Sequence, residues 1–478
     1  MTLKQKTITG TIWSFLDKVG NSVVQLLLTI ILARLLEPQD FGVIGMLIIF
    51  SSISRIIIDG GFNVALIRKQ NCDNTLYSSV FYLNFLVSVL LYIILFFCSP
   101  FIANFFNYPE LELISKYYFL ILPLYSLSII QYVIIQKELN FKKYAFVSFS
   151  SIIISGAVGA FMAFKGYGVW ALVWQAIINK LLVSLFLWLG SKWRPNLIFS
   201  FNSIRSILKY SLNLLSTSLL IAVFNNLYAL IIGKFFKAED LGNYTQSKQI
   251  STIPNITLIS VIQRVIFPAL SKIQDDEKRL KESYLKILRV IFLVIPPLFL
   301  GLYAVANEFV LTVLSEKWLG AVPYIKILCI VAVIQPYINI SHSLLKITDQ
   351  TKLLLRIEMI RRVIIIITLL ITMRYGIVSI LYGHLGISLL TAFTFILVSG
   401  KKINLKFTEI VSATAGYIII ASVVSAFIIL SSSLFFTSPY LRIITQICTA
   451  ILLYISLLRI FKMPAFYEVL TIIKLKNK

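Results

Sequence analysis

The sequence predicts an all-α polytopic membrane protein of about fourteen transmembrane helices. Three observations carry this: composition, the length of the apolar runs, and the placement of basic residues. Of the 478 residues, 58% are hydrophobic and only 13% charged, with a mean hydropathy of +0.89. A soluble domain carries about twice that charge. Runs such as 120–135 and 363–372 are almost wholly apolar, and about twenty such residues cross a bilayer core of about 30 Å. Regular strand-type alternation is absent from the sequence, which argues against an outer-membrane barrel. Backbone in lipid must satisfy its own hydrogen bonds, which leaves helices.

In chain order the apolar stretches fall near 11–35, 41–66, 76–98, 115–136, 145–164, 168–190 and 208–233. They continue at 241–268, 284–306, 321–345, 354–373, 376–398, 409–431 and 439–461. The first resembles a signal peptide only in position. Its apolar part is too long, it carries Asp17 and Lys18, and no small-x-small site follows. The spans at 41–66 and 241–268 are the least apolar and are required by the charges of the loops around them. Pro296-Pro297 predicts a kink in the ninth span. The segment after Met463 alternates apolar and basic residues and reads as lying on the membrane surface.

The formal charge is +24, and it is distributed by side. Loops on the N-terminal side hold Lys4, Lys6, Arg68, Lys69, Lys142, Lys143, Lys192, Arg194, Lys278, Arg279, Lys401 and Lys402, whereas the opposite loops hold few cations together with Glu37, Asp40, Glu110 and Glu112. The positive-inside bias then puts both termini in the cytoplasm and requires an even number of spans. Basic loops flanking apolar spans contact anionic lipid headgroups, and no nucleic-acid-binding motif accompanies them. Arg361 and Arg362, near the eleventh span, read as facing the cytoplasm or the headgroups. The four cysteines, Cys72, Cys98, Cys329 and Cys448, have no metal-ligand spacing, and the only histidines are His342 and His384. A histidine-based active site, a metal site and a nucleotide-binding loop are therefore not expected.

The chain repeats itself. Ala33-Arg34-Leu35-Leu36-Glu37-Pro38-Gln39-Asp40-Phe41-Gly42 is echoed by Gly233-Lys234-Phe235-Phe236-Lys237-Ala238-Glu239-Asp240-Leu241-Gly242, and Tyr167-Gly168 by Tyr375-Gly376. Six spans separate the copies, so both enter the membrane in the same direction, as in a parallel repeat. The expected organisation is a six-helix lobe over 1–195, a second over 196–400, and two extra helices with a cytoplasmic tail over 401–478. Transporters with such repeats bind substrate near the midplane.

Ionisable residues inside spans are costly and face the protein interior or a water-filled cavity. Here they are Asp17, Lys18, Arg55, Asp59, Lys248 and Arg264. Asn213, Asn225 and Asn226 add polarity to the seventh span, and Tyr244, Gln246, Gln249 and Asn255 to the eighth. Lys18, Arg55, Lys248 and Arg264, with Asn225, are candidate contacts for an anionic substrate, since Arg and Lys pair strongly with phosphate oxygens. Asp17 and Asp59 are candidates for coupling to a proton or sodium gradient. The plainer alternatives are snorkelling for Lys18, a structural Arg55–Asp59 pair, and a positive-inside anchor for Arg264. Lys248, several residues inside its span with no acid nearby in sequence, is the hardest to explain without a lumen.

The stretch from Gly10 to Lys69 resembles the polysaccharide flippase family of the MOP superfamily, which includes O-antigen translocases. The resemblance lies in Trp13-Ser14-Phe15-Leu16-Asp17-Lys18, in Ala33 to Met46, and in Asp59-Gly60-Gly61-Phe62-Asn63-Val64-Ala65-Leu66-Ile67, where family members more often have Asp-Ser-Gly-Phe. It implies a V-shaped, MATE-like two-lobe fold working by alternating access in the bacterial inner membrane. The implied substrate is an undecaprenyl-diphosphate-linked oligosaccharide for O-antigen, capsule or exopolysaccharide synthesis, with other polysaccharide-assembly proteins as partners. The rivals are a cation-coupled multidrug exporter, which would favour acidic lumen residues, the related lipid II flippase, and a polysaccharide polymerase or ligase. The last needs a sizeable outer loop with catalytic Arg or His, and the outer loops here are short.

Overall fold

The computed structural model describes the backbone of residues 3–271, 273–274, 276–431 and 438–476, and their side chains except at 3–12, 14–16, 18, 253, 256–269, 271 and 472–476. Among the described residues the regular structure is entirely helical, and the chain divides into two compact units, Met1–Thr245 and Gln246–Lys478. Eleven described helical stretches are long and apolar enough to cross a membrane. Helices also occupy the three remaining expected positions: α1 (Leu3–Leu35), α12 (Ala238–Ser271) and α16 (Thr351–Thr372). The last misses the apolar criterion because it carries Lys352, Arg356, Glu358, Arg361 and Arg362.

In the first unit α1 lies along α9 (Phe141–Phe164), and small residues set the spacing. A Cβ on Gly156 would stand 2.4 Å from Leu28 Cδ1, and one on Gly20 would stand 2.1 Å from the Phe149 ring. The expected span 41–66 is in fact two helices, α2 (Pro38–Asp59) and α3 (Phe62–Arg68). The break is Gly60-Gly61, with φ of +56° and +75°, a left-handed pair that side chains with a Cβ resist. α4 (Asn74–Phe97) is capped by Asp73, which accepts the Leu76 N–H at 3.3 Å. After α5 (Ser99–Phe106), the expected span 115–136 runs as three pieces: α6 (Leu111–Tyr118), α7 (Ile121–Ser126) and α8 (Ile129–Lys137). Pro123 contributes no N–H, and the junctions tighten to three-residue bonds such as Leu122 N to Phe119 O at 2.9 Å. α10 (Val169–Gly190) lies against α9 and the pieces of this span, and the long α11 (Phe201–Phe235) lies along α2.

The repeated motif has a defined structural task. Asp40 Oδ2 accepts the Glu37 backbone N–H at 3.0 Å, and Asp240 Oδ2 accepts that of Lys237 at 3.3 Å. Each aspartate therefore tethers the N-terminus of its helix. Two residues later the glycines meet. A Cβ on Gly42 would stand 1.7 Å from Ala238 O, and a Cβ on Gly242 would stand 1.7 Å from Pro38 O. The first turns of α2 and α12 thus cross backbone to backbone, each copy of the repeat closing on the other.

In the second unit α13 (Glu277–Ala304) starts at Asp276, which accepts the Arg279 N–H at 3.1 Å, and it continues as helix through Pro296-Pro297. After the short α14 (Ala306–Phe309), one π-helical turn over Val310–Leu314 and a 3-10 turn over Glu316–Ala321 comes α15 (Val322–Ile347), which lies between α13 and α17 (Ile377–Lys402) and is buried for most of its length. Buried hydroxyls tie these three together: Tyr284 Oη lies 3.1 Å from Ser341 Oγ, which is 3.1 Å from Ser399 Oγ. α18 (Phe407–Leu430) and α19 (Pro439–Ile460) complete the set, with Tyr454 Oη donating to Leu293 O at 3.0 Å. The final helix α20 (Pro464–Lys476) is docked at its start: Ala465 is fully buried and donates to Tyr417 Oη at 3.0 Å, and Glu468 pairs with Lys286 at 3.4 Å.

Candidate functional site

The first unit holds an open pocket of about 330 Å³ at the C-terminal end of α2. Ser52, Arg55 and Asp59 line it from α2, Gly61 from the break, Tyr125 from α7 and Ser218 from α11. Successive lining positions on α2 are three or four apart, so one face of the helix is polar. That face sits beside α11 because Gly61 has no side chain: a Cβ there would stand 2.5 Å from Ser211 O. Asn226 of α11 donates to Ser52 Oγ at 3.1 Å, fixing the register of the two helices.

Arg55 and Asp59, both expected at a site, share this cavity. They are not the structural pair weighed from their spacing, since no ion pair within 4 Å joins them. Arg55 Nε donates instead to Ser51 O at 3.3 Å. Asp59 Oδ1 is buried without a hydrogen-bond partner. The carboxylate as a whole faces the backbone N–H groups of Gly61 and Asn63 at the break after α2.

A second cation belongs to this neighbourhood and was not singled out from the sequence. Lys180, at the middle of α10, lies within the field of Arg55. Neither Arg55 nor Lys180 has a described carboxylate within 4 Å. Like charges gathered in a low-dielectric interior repel unless an anion joins them. The same test that picked out Arg55, a charge deep in an apolar span, applies equally to Lys180. Tyr125, Tyr132 and Tyr144 extend the polar seam from this cavity towards Asp17, with the rings of Tyr132 and Tyr144 4.5 Å apart. Asp17 itself accepts from Asn21 Nδ2 at 2.6 Å.

None of the other expected residues is among those that line this cavity. Asn225 is exposed on α11, and its neighbour Asn226 makes the inter-helix bond. Lys248 is partly buried on the portion of α12 that belongs to the second unit. The side chains of Lys18 and Arg264 lie outside the described residues. Lys234 reaches the Phe105 carbonyl and lies 4.9 Å from the Phe105 ring centroid. Arg361 Nη1 is 3.3 Å from Glu358 Oε1 on its own helix. No group of three or more potential metal ligands occurs among the described residues.

Comparison with known proteins locates the chain among these possibilities. A family described as "Polysaccharide biosynthesis protein" matches residues 31–323. The chain is 26% identical over 349 residues to teichuronic acid biosynthesis protein TuaB of Bacillus subtilis (strain 168), covering 72% of this chain and 71% of that protein. It is 28% identical over 354 residues to lipopolysaccharide biosynthesis protein WzxC of Escherichia coli (strain K12), covering 72% and 70%. Succinoglycan biosynthesis transport protein ExoT of Rhizobium meliloti (strain 1021) is 24% identical, covering 69% and 67%. Among solved structures, the lipid II flippase MurJ in an inward closed conformation matches with a TM-score of 0.74 at 16% identity, over 95% of this chain and 98% of that one. An inward-facing multidrug resistance MATE family transporter of the MOP superfamily matches with a TM-score of 0.62 at 14% identity, over 83% and 94%. The fold is that of the MOP superfamily transporters.

Proposed function

This chain belongs to the polysaccharide biosynthesis protein family, and we propose that it is a flippase that translocates an anionic lipid-linked oligosaccharide. The substrate class is an undecaprenyl-diphosphate-linked glycan, carried from the cytoplasmic to the outer leaflet of a bacterial inner membrane with both termini in the cytoplasm. The observation that supports this reading most directly is that Lys180 lies in the field of Arg55 while neither has a described carboxylate within 4 Å, Asp59 being the one acid that lines the pocket. A diphosphate supplies the missing negative charge, and guanidinium binds phosphate oxygens bidentately. Tyr125, Tyr132 and Tyr144 offer flat apolar faces with hydroxyl rims, suited to sugar rings. The relatives are named for the biosynthesis of teichuronic acid, lipopolysaccharide and succinoglycan, and the last is named a transport protein, which supports a transport step in glycan assembly.

In this reading transport proceeds by alternating access. Lys248 and Arg264 serve as further anion contacts, with Lys18 at the cytoplasmic entrance. Asp17 and Asp59 remain candidates for ion coupling. An exporter of cationic drugs would need a lumen of opposite sign.

The test is mass spectrometry of lipid extracts from cells depleted of the protein and from complemented cells. Accumulation of a complete undecaprenyl-diphosphate glycan with loss of surface polymer is the expected result. An unchanged lipid-linked pool with intact surface glycans overturns the proposal.

A further inference from the structure

The segment joining α10 to α11 is pinned to the protein and yet turns its apolar side chains outward. Residues 191–200 take no helix or strand, so their polar groups need partners outside a regular ladder. The start of α4 supplies them. Trp193 Nε1 donates to Asn74 Oδ1 at 2.5 Å, the Asn196 N–H to Ser78 Oγ at 2.9 Å, and the Ser200 N–H to Ser79 Oγ at 2.8 Å. Trp193 also packs edge-on against Tyr77 and Phe81. The residues between the last two bonds point away from this support: Leu197 is 96% exposed and Phe199 56%. Ile198 is exposed too, as is Phe201, the first residue of α11. Because the backbone is tied on either side of them, these side chains are held out rather than left loose.

Two further observations say what they meet. α10 and α11 are both long and apolar enough to cross a membrane, so the segment sits where those spans leave the bilayer. Irregular backbone is not tolerated in contact with hydrocarbon. The main chain therefore stays among the headgroups, and only the side chains reach the acyl layer. Charge supplies the second observation. Lys192 and Arg194 precede the apolar group, Arg205 and Lys209 follow it, and all four are exposed. No aspartate or glutamate occurs in the sequence between Glu138 and Glu239.

We propose that residues 197–201 form an in-plane anchor, with their apolar side chains among the acyl chains of an anionic leaflet and the flanking cations on its phosphate headgroups. Apolar residues rimmed by lysine and arginine bind such an interface through both terms. A protein partner fits less well, because a stable protein interface takes about 20–30 residues a side and this strip has four. The anchor bears on the pocket described above. α11 runs on from Phe201 to Leu215 and Ser218, which line that pocket about 20–25 Å further along the helix. Lipid contact at 197–201 thus sets the depth of one pocket wall in the bilayer.

The test uses the full chain, without its four native cysteines, in nanodiscs of phosphatidylcholine with or without phosphatidylglycerol. Bimane is placed on Ile198→Cys and, as a reference in water, on the exposed Lys278→Cys. We expect a nitroxide high on the acyl chain to quench the first label about threefold more than the second, and dissolved iodide to do the reverse. L197E/F199E should return the label at 198 to iodide. Phosphatidylglycerol should strengthen the nitroxide effect by about twofold, and K192Q/K209Q should abolish that gain. Ile198 and both lysines are exposed, so these changes leave the packing on α4 in place. Iodide quenching at the level of the reference, without a nitroxide effect, overturns the anchor. Protection from both quenchers also overturns it, since the segment would then lie against protein. Equal quenching with and without phosphatidylglycerol overturns the headgroup contact.

Discussion

Arg55 and Lys180 each pay the cost of a charge placed deep in an apolar span, and among the described residues neither recovers it from a carboxylate within 4 Å. If a diphosphate completes the arrangement, Arg55→Gln and Lys180→Gln should each cut translocation by about tenfold to a hundredfold, the range for losing one charge-assisted hydrogen bond. Arg55→Lys should fall between, keeping the charge and losing the fork. Initial flipping rates in proteoliposomes, with membrane-inserted protein quantified in parallel, check this. Equal rates in the parent and both Gln variants would remove the pair from the path. Arg55, Asp59 and Lys248 were legible as single buried charges, since cost alone marks them. Lys180 is marked by the same criterion and was passed over. The contact of Glu358 Oε1 with His342 Nε2 at 2.9 Å was not legible, because sixteen residues and a helical hairpin separate them.

At the scale of elements, hydropathy located the helices well and their interruptions poorly. The break after α2 needs the conformation of Gly60-Gly61, and the pieces of α6 to α8 need the tightened turns around Pro123. Both are local backbone events inside runs whose apolarity continues unbroken. The repeat was visible as letters, but its meaning was not: its aspartates cap helices and its glycines let backbones touch. Gly42→Leu and Gly242→Leu should therefore each destabilise the protein by about 1–3 kcal/mol or more through overpacking. Thermal melting of detergent-solubilised protein measures this. Gly301→Ala is the control, because a Cβ there meets nothing within 4 Å, and it should melt at or above the parent temperature. Asp40→Ala should cost about 1 kcal/mol as a lost cap.

For the whole molecule, the charge distribution and the even count of crossings make a joint prediction. Fluorescent-protein fusions at either end should fluoresce, and alkaline phosphatase fusions there should be inactive, since both termini are expected in the cytoplasm. An active phosphatase at one end only would mean an odd number of crossings. α1, α12 and α16 are then the helices to recount, because the other eleven positions already meet the length and apolarity of a span. Fusions truncated within 373–376, after α16, discriminate most sharply, as that helix carries five charged residues.

The contact between Gly42 and Gly242 also bears on how such a chain can diverge after duplication. Each glycine is held small by a main-chain carbonyl of the other copy, not by a side chain. No compensating substitution exists for a backbone atom, so neither half can enlarge its residue and let the other adjust. While the rest of the two copies drifted apart, this one position in each remained answerable to its twin. The descendants of a duplication are in this way fastened together at the point where they first turn into the membrane.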